Sequence, residues 1–279
     1  MKIKRITKAI VLLWLTTLIA CQKKEQIQIA GSTTVLPVLS QIAEQFRLTH
    51  PELNLIVNGG GSGVGINQLG EGKIQIGMAS REITQTEIEQ YPTRNFIIHT
   101  IGRDAVVPVV SSEIYEAGVK ALTLKQIANI YKGVFNNWKD VGGPDQKILV
   151  VDKEQSRGTR HVFMKAVMGD KEANAPGADL VLGSNNEEQT AITQSKAAIG
   201  MLSNAWLNQD VKGLGIITPE GTVIEATLEN IINNSYPITR QLYLITDGAP
   251  QGTIKELLNT IFSTEGQKIV AKSGYVPLK

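Results

Sequence analysis

The sequence predicts an α/β fold with mostly parallel sheets, divided into two lobes, and three observations carry that reading. Short apolar runs of strand length alternate with stretches of helical period from residue 27 onward. Glycine- and hydroxyl-rich loops stand where such runs give way to helices. Two long extended segments, near 100–110 and 236–246, have the character of crossovers between lobes, so that the second lobe is inserted into the first.

The elements follow in order. IQIAG (27–31) is a strand, and VLPVLSQIAEQFRLTHP (35–51) a helix with Leu36, Leu39, Ile42, Ala43 and Phe46 at helical spacing. Pro37 suits its first turn and Pro51 lies just beyond its end. LNLIVN is a second strand, VGINQLGEGK holds a short helix, and IQIGMAS (74–80) is a third strand. NFIIHTIGRDAVVPVVSS (95–112) is extended, with Arg103 and Asp104 in its middle. TLKQIANIYKG (123–133) is helical, KILVVD (147–152) a strand and RHVFMKAVMG (160–169) a helix. AAIGMLS (197–203) and GLGIITP (213–219) are strands, PITRQLYLIT (237–246) is extended, and 253–274 is helical. The expected organisation is 27–104 plus 242–279 as lobe I and 105–241 as lobe II.

Residues 1–20 have a signal-peptide pattern. Lys2, Lys4, Arg5 and Lys8 precede an apolar stretch, Ala9 to Ala20, too short to span a bilayer as a helix. Its end, LIAC, looks like a lipobox, which implies cleavage before Cys21, acylation of that thiol and a lipidated tether over 21–26. The expected place is therefore the cell envelope outside the cytoplasm, held to a membrane by lipid. Cys21 is the only cysteine, which excludes a disulfide framework and a cysteine metal site. Taking the leader's four cations from 28 Lys and Arg leaves 24 against 26 Asp and Glu, a balance that gives no reason to hold nucleic acid.

Three loops share one chemistry: GSTT (31–34), GGGSGVG (59–65) and SRGTR (156–160). Each offers glycine backbone and hydroxyls close to the start of a helix, where unpaired N–H groups and the positive end of the dipole favour an anion. Arg81, Arg157 and Arg160 lie near them. The glycine run is not a nucleotide loop: Gly65 is followed by Ile66 and Asn67 where a Walker loop needs Lys and Ser/Thr, and the G-x-G-x-x-G spacing fails at Val64. Together the loops point to a small, multiply charged oxyanion. An enzyme would need a nucleophile with its base, or metal ligands; His50, His99 and His161 are scattered, and no H-E-x-x-H or D-x-D pattern occurs.

AGSTTVLPVLSQIAEQF, NGGGSGVGINQLGEGKIQIGMASRE, IANIYKGVFNNWKDVGGPD and FSTEGQKIVAKSGYVPL together resemble the phosphate-binding proteins of bacterial phosphate ABC importers, over roughly residues 27 to 279. The resemblance implies a two-lobed type II periplasmic-binding-protein fold, closing on one inorganic phosphate and delivering it to permease subunits without chemistry. It implies no cofactor and no catalytic residue, and a monomer is expected. Trp138 follows the family pattern as a packing residue.

Carried over by position, the phosphate ligands are Ser32, Thr33, Thr34, Ser62, Ser80 and Arg81. The third loop departs from the family: Lys153 stands where arginine is usual, followed by Glu154, Gln155, Ser156, Arg157, Gly158 and Thr159. Either Arg157 supplies the missing guanidinium or Ser156 shifts in register; Lys153, Ser156, Arg157, Gly158 and Thr159 are all carried forward. An acceptor for the ligand's proton falls to Glu82, Asp104, Asp152 or Glu154. The alternatives are a binding protein for another oxyanion and a surface-exposed interaction or sensor lipoprotein on this scaffold.

Overall fold

The computed structural model describes residues 25–278; the leader and Cys21, with the lipidation expected there, lie outside them. The elements run β1 (Gln26–Gly31), α1 (Leu36–Thr49), β2 (Asn54–Gly59), α2 (Ser62–Gly70), β3 (Ile76–Ala79), α3 (Gln85–Gln90) and β4 (Phe96–Ser111). Then come α4 (Ser112–Glu116), β5 (Ala121–Thr123), α5 (Leu124–Tyr131), β6 (Leu149–Lys153), α6 (Gly158–Met168), β7 (Leu180–Leu182), α7 (Asn185–Gln194) and β8 (Ala198–Ser203). The chain closes with β9 (Val211–Gly213), β10 (Gly215–Ile217), β11 (Val223–Ile224), α8 (Leu228–Ile232), β12 (Thr239–Asp247), α9 (Gly252–Phe262) and α10 (Thr264–Lys272).

A nine-stranded mixed sheet has the order β2-β1-β3-β12-β4-β8-β6-β7, with β9 also on β4. Parallel pairing holds β1 to β2 and β3, and β6 to β7 and β8. The crossovers are antiparallel: β12 runs beside β4 from Thr239 opposite Ala105 to Asp247 opposite Phe96. β4 then continues beside β8. A separate three-stranded sheet has the order β11-β10-β5.

Two large cores divide along these strands. One gathers Ile29, Leu39, Ile42, Phe46, Leu55, Met78, Ile101, Leu242 and Leu257. The other gathers Val107, Val109, Ile127, Tyr131, Trp138, Val151, Phe163, Ile199 and Ile238. The change of core falls between Ile101 and Ala105 on β4, and between Ile238 and Leu242 on β12. Asp104 and Arg240, opposite one another in register, sit at that seam. Trp138 is fully buried, its indole N–H donating to the Ala197 carbonyl at 2.9 Å, in the packing role expected of it.

Local chemistry sets the element ends. Pro37 opens α1, whose buried face is Val38, Leu39, Ile42, Ala43 and Phe46. Thr84 with Glu87, and Thr123 with Gln126, cap α3 and α5 reciprocally. Gly31 leaves β1 at φ 137°, and a Cβ there would fall on the Met78 carbonyl oxygen, so only glycine lets the first loop lie so close to β3. The helix expected over 253–274 is two: Ser263 breaks it and caps α10 by accepting from Gly266 N at 3.1 Å. Helix α7 was not foreseen, because NNEEQTAITQ has no apolar stripe. It buries Asn185, Glu188 and Ile192 instead.

Candidate anion-binding site

Four helix starts converge on one small pocket of about 10 Å³ between the two cores. Ser32, Thr33 and Thr34 lead into α1, Gly61 and Ser62 open α2, Gly158 and Thr159 open α6, and Gly183 and Asn185 flank the start of α7. Neither Gly61 nor Arg157, the residues before α2 and α6, gives its helix a side-chain cap. Apart from the Gly63 N–H, which goes to the Ser156 carbonyl, the first-turn N–H groups of both helices are left for a ligand, with the dipoles adding positive potential.

The hydroxyls are oriented by their neighbours. Ser62 Oγ accepts from the Ser80 N–H at 3.0 Å, and the Ser32 hydroxyl bonds Ser80 Oγ at 3.0 Å. Arg240 donates to Thr159 Oγ1 at 3.1 Å and to Thr34 Oγ1 at 3.3 Å, and the Asn185 amide donates to Thr34 Oγ1 at 3.2 Å. A hydroxyl that already accepts turns its own proton elsewhere, which here makes Thr34, Thr159 and Ser62 donors. Arg240 is itself held by both oxygens of Asp104, at 2.7 and 2.9 Å.

Several of these contacts join the two sides of the cleft. The Gly63 N–H donates to the Ser156 carbonyl at 3.0 Å, Asn185 reaches Thr34, and Arg240 touches Thr34 and Thr159 together. The molecule is therefore seen closed. Lys153 also lines the cavity; it is 1% exposed and ion-paired with Glu188, which is fully buried and accepts from Met201 N at 2.6 Å. Burial pushes the Glu188 carboxyl up, against the downward pull of Lys153.

Of the residues expected to bind, Ser32, Thr33, Thr34, Ser62, Ser80, Lys153, Arg157, Gly158 and Thr159 line this cavity. Two do not. Arg81 turns away and is held by Glu87 through two bonds of 2.8 and 2.7 Å, because adjacent residues at a strand end face opposite ways. Ser156 is exposed, and it is its carbonyl rather than its hydroxyl that crosses the cleft. Arg157 lies at the rim, donating to Glu154 at 2.8 and 2.5 Å.

No carboxylate lines the cavity among the described residues. Asp104 is taken by Arg240, Asp152 by Arg160, Glu154 by Arg157, and Glu82 points into a groove on the other side of the cleft. Sequence reasoning missed Asn185, Glu188 and Arg240. The first two sit in the unforeseen α7, and the third lies 206 residues from Thr34 along the chain.

His161 faces that second groove. Burial, then the charges of Arg81 and Lys171, lower its pKa from 6.5 to about 4. The unfolded chain therefore takes up a proton as pH falls from 6.5, before the native protein does. This contribution to stability is complete above pH 6.5 and is lost as pH falls toward about 4. A proton NMR titration should place the His161 ring midpoint near 4; a midpoint near 6.5 would mean the ring is neither desolvated nor crowded by cations.

Two lobes joined by paired crossover strands, shut over a cavity of hydroxyls and helix N-termini, define a solute-binding protein whose cleft is built for a small oxyanion. The comparisons agree. A profile described as the PBP superfamily domain matches residues 20–265. The phosphate-binding protein PstS of Bacillus subtilis is 33% identical over 252 residues, covering 90% of this chain and 80% of that one. That of Borreliella burgdorferi is 28% identical over 288 residues, 99% of each. A Clostridium perfringens structure described as a phosphate ABC transporter substrate-binding protein with bound phosphate matches at TM-score 0.81 and 32% identity, covering 91% of this chain and 100% of that one. The chain belongs to the PBP superfamily and, within it, to the phosphate-binding proteins of phosphate ABC transporters.

Proposed function

We propose that the protein captures inorganic phosphate in the cavity between its lobes and delivers it to the permease of an ABC importer, as a binding protein without chemistry. The observation that carries this reading is the cavity where four helix starts and a set of pre-oriented hydroxyls meet while Asp104, Asp152, Glu154 and Glu188 are each engaged by a cation. Dipoles and N–H groups, rather than net countercharge, would hold the dianion. Thr33, Thr34, Ser62, Ser80, Gly158 and Thr159 supply donors, and Ser32, whose O–H goes to Ser80, orients that hydroxyl; Lys153 and Arg157 supply cations at the inner wall and the rim. The names of the relatives do not favour the interaction-protein reading.

The lobes are taken as 27–104 with 242–279, and 105–241, a division supported by the change of core at Asp104 and Arg240. Lipid anchoring at Cys21, residence outside the cytoplasm and a monomeric state complete the proposal, the first supported by the lipobox pattern alone.

Calorimetric titration of the soluble form, begun after Cys21 and stripped of anion, tests it with phosphate, arsenate and sulfate. Thr33→Ala and Ser62→Ala should each weaken phosphate binding by roughly 1–3 kcal/mol, the cost of an unmade bond to a charged group. Unchanged affinity in both would sink the site assignment.

A further inference from the structure

Two grooves flank the closed cleft, and their charges differ. The front groove, about 810 Å³, is lined by Glu154 and Glu187 with Arg157 as the one cation among the described residues, beside apolar Leu36, Pro37 and Trp206. The back groove, about 780 Å³, is lined from lobe I by Arg81 and Glu82, from α6 and the turn after it by His161, Lys165 and Lys171, and from the crossover strands by Arg103 and Arg240. Each groove is of a size that holds a small ligand.

Of the back groove's cations, Arg81 is answered by Glu87 and Arg240 by Asp104. Arg103 donates to neutral oxygens, Asn234 Oδ1 at 2.8 Å and the Ile232 carbonyl. Lys171 comes only within 3.9 Å of Glu172. Arg103, Lys165 and Lys171 are thus left facing Glu82 alone among the lining carboxylates. The excess of positive charge shows itself at His161, whose proton affinity is reduced by burial and also by Arg81, Lys171 and Lys165.

Arg240 separates this groove from the anion cavity. It lines the groove, and the same guanidinium bonds Thr34 and Thr159 on the cavity side. We propose that the back groove is a second, outer oxyanion site, where a small tetrahedral anion is gathered before the lobes close over the inner cavity. The proposal rests on phosphate being the ligand of the inner cavity. A cleft wall of one sign raises the local concentration of the opposite ion and so its rate of association. The front groove, with two carboxylates to one guanidinium, lacks that attraction.

The test is stopped-flow phosphate binding to the stripped soluble protein, followed by tryptophan fluorescence, since Trp206 lies on the front groove. Lys165→Glu/Lys171→Glu should lower the association rate constant about tenfold at low ionic strength and leave the dissociation rate constant unchanged. The difference should vanish near 1 M salt, where the screening length is about 3 Å. Lys165→Arg/Lys171→Arg should keep the wild-type rate. Lys125→Glu/Lys132→Glu, an equal change of net charge at exposed positions of α5 and just after it, should also keep it. Equal slowing in both charge-reversed variants would reduce the effect to net charge and overturn the outer site, as would an unaltered rate in the first. Wild-type protein that gives no saturable phosphate signal would overturn the inner-site reading, and the outer site with it. A wild type that binds tightly while Lys165→Glu/Lys171→Glu associates normally would overturn the outer site alone.

Discussion

Gly158→Ala is expected to lower phosphate affinity by at least about 100-fold while leaving the ligand-free protein as stable as before. Gly158 opens α6 without a left-handed backbone, so alanine fits the helix and even favours it by up to about 1 kcal/mol. The obstacle is across the cleft. A Cβ at this position would fall on the hydroxyl oxygens of Ser62 and Ser80 and lie 3.2 Å from the Ser80 carbonyl carbon. Ser62 Oγ cannot swing aside without giving up the Ser80 N–H it accepts at 3.0 Å. The lobes must then stop short of full closure, and two or more bonds to the anion, at about 1.5–3 kcal/mol each, go unmade together. Calorimetry beside a thermal melt separates the two effects. Normal affinity in a folded variant would mean that the closure seen here is not the state that holds the ligand.

Glu188→Gln has the opposite character, with stability lost and ligand binding gained. Glutamine keeps the shape and an acceptor for Met201 N, but it leaves the ammonium of Lys153, 1% exposed, with no countercharge. Breaking a buried pair in this way costs about 3–5 kcal/mol. Lys153 also lines the cavity, so a bound dianion would take over the neutralising role. The variant should melt well below the wild type without phosphate and recover much of the difference at saturating phosphate. Equal melting temperatures without ligand would show that Lys153 and Glu188 are not a working ion pair. An equal shift on adding phosphate would place Lys153 outside the anion's reach.

What could be read from the sequence was local. Glycines and hydroxyls before helices marked Ser32, Ser62, Gly158 and Thr159, because N-terminal donors and the residues that expose them are neighbours in the chain. Arg81 misled for the same reason: nearness to Ser80 along the chain says nothing about which side of a strand end a side chain takes. Asp104 and Arg240 meet only through the register of β4 and β12, 136 residues apart. Their sequence signal was a charge in the middle of each long apolar run, visible singly at Arg103 and Asp104 but without its partner. Asn185 and Glu188 were hidden because a helix that buries polar groups has no hydrophobic period to betray it.

The pairing of β4 with β12 also constrains how the lobes can travel. Two strands locked side by side over nine positions resist sliding, since a slip of one residue would break the ladder and turn every side chain to the wrong face. Bending and twisting cost far less, and the irregularity between Leu242 and Tyr243 is a natural place for them. Such a pair behaves as a leaf spring, soft in one direction and stiff in the others. A hinge of this kind would bring the lobes back along the same arc at each cycle, so that a contact as fine as the one between Gly63 and Ser156 would be remade in alignment rather than found by search.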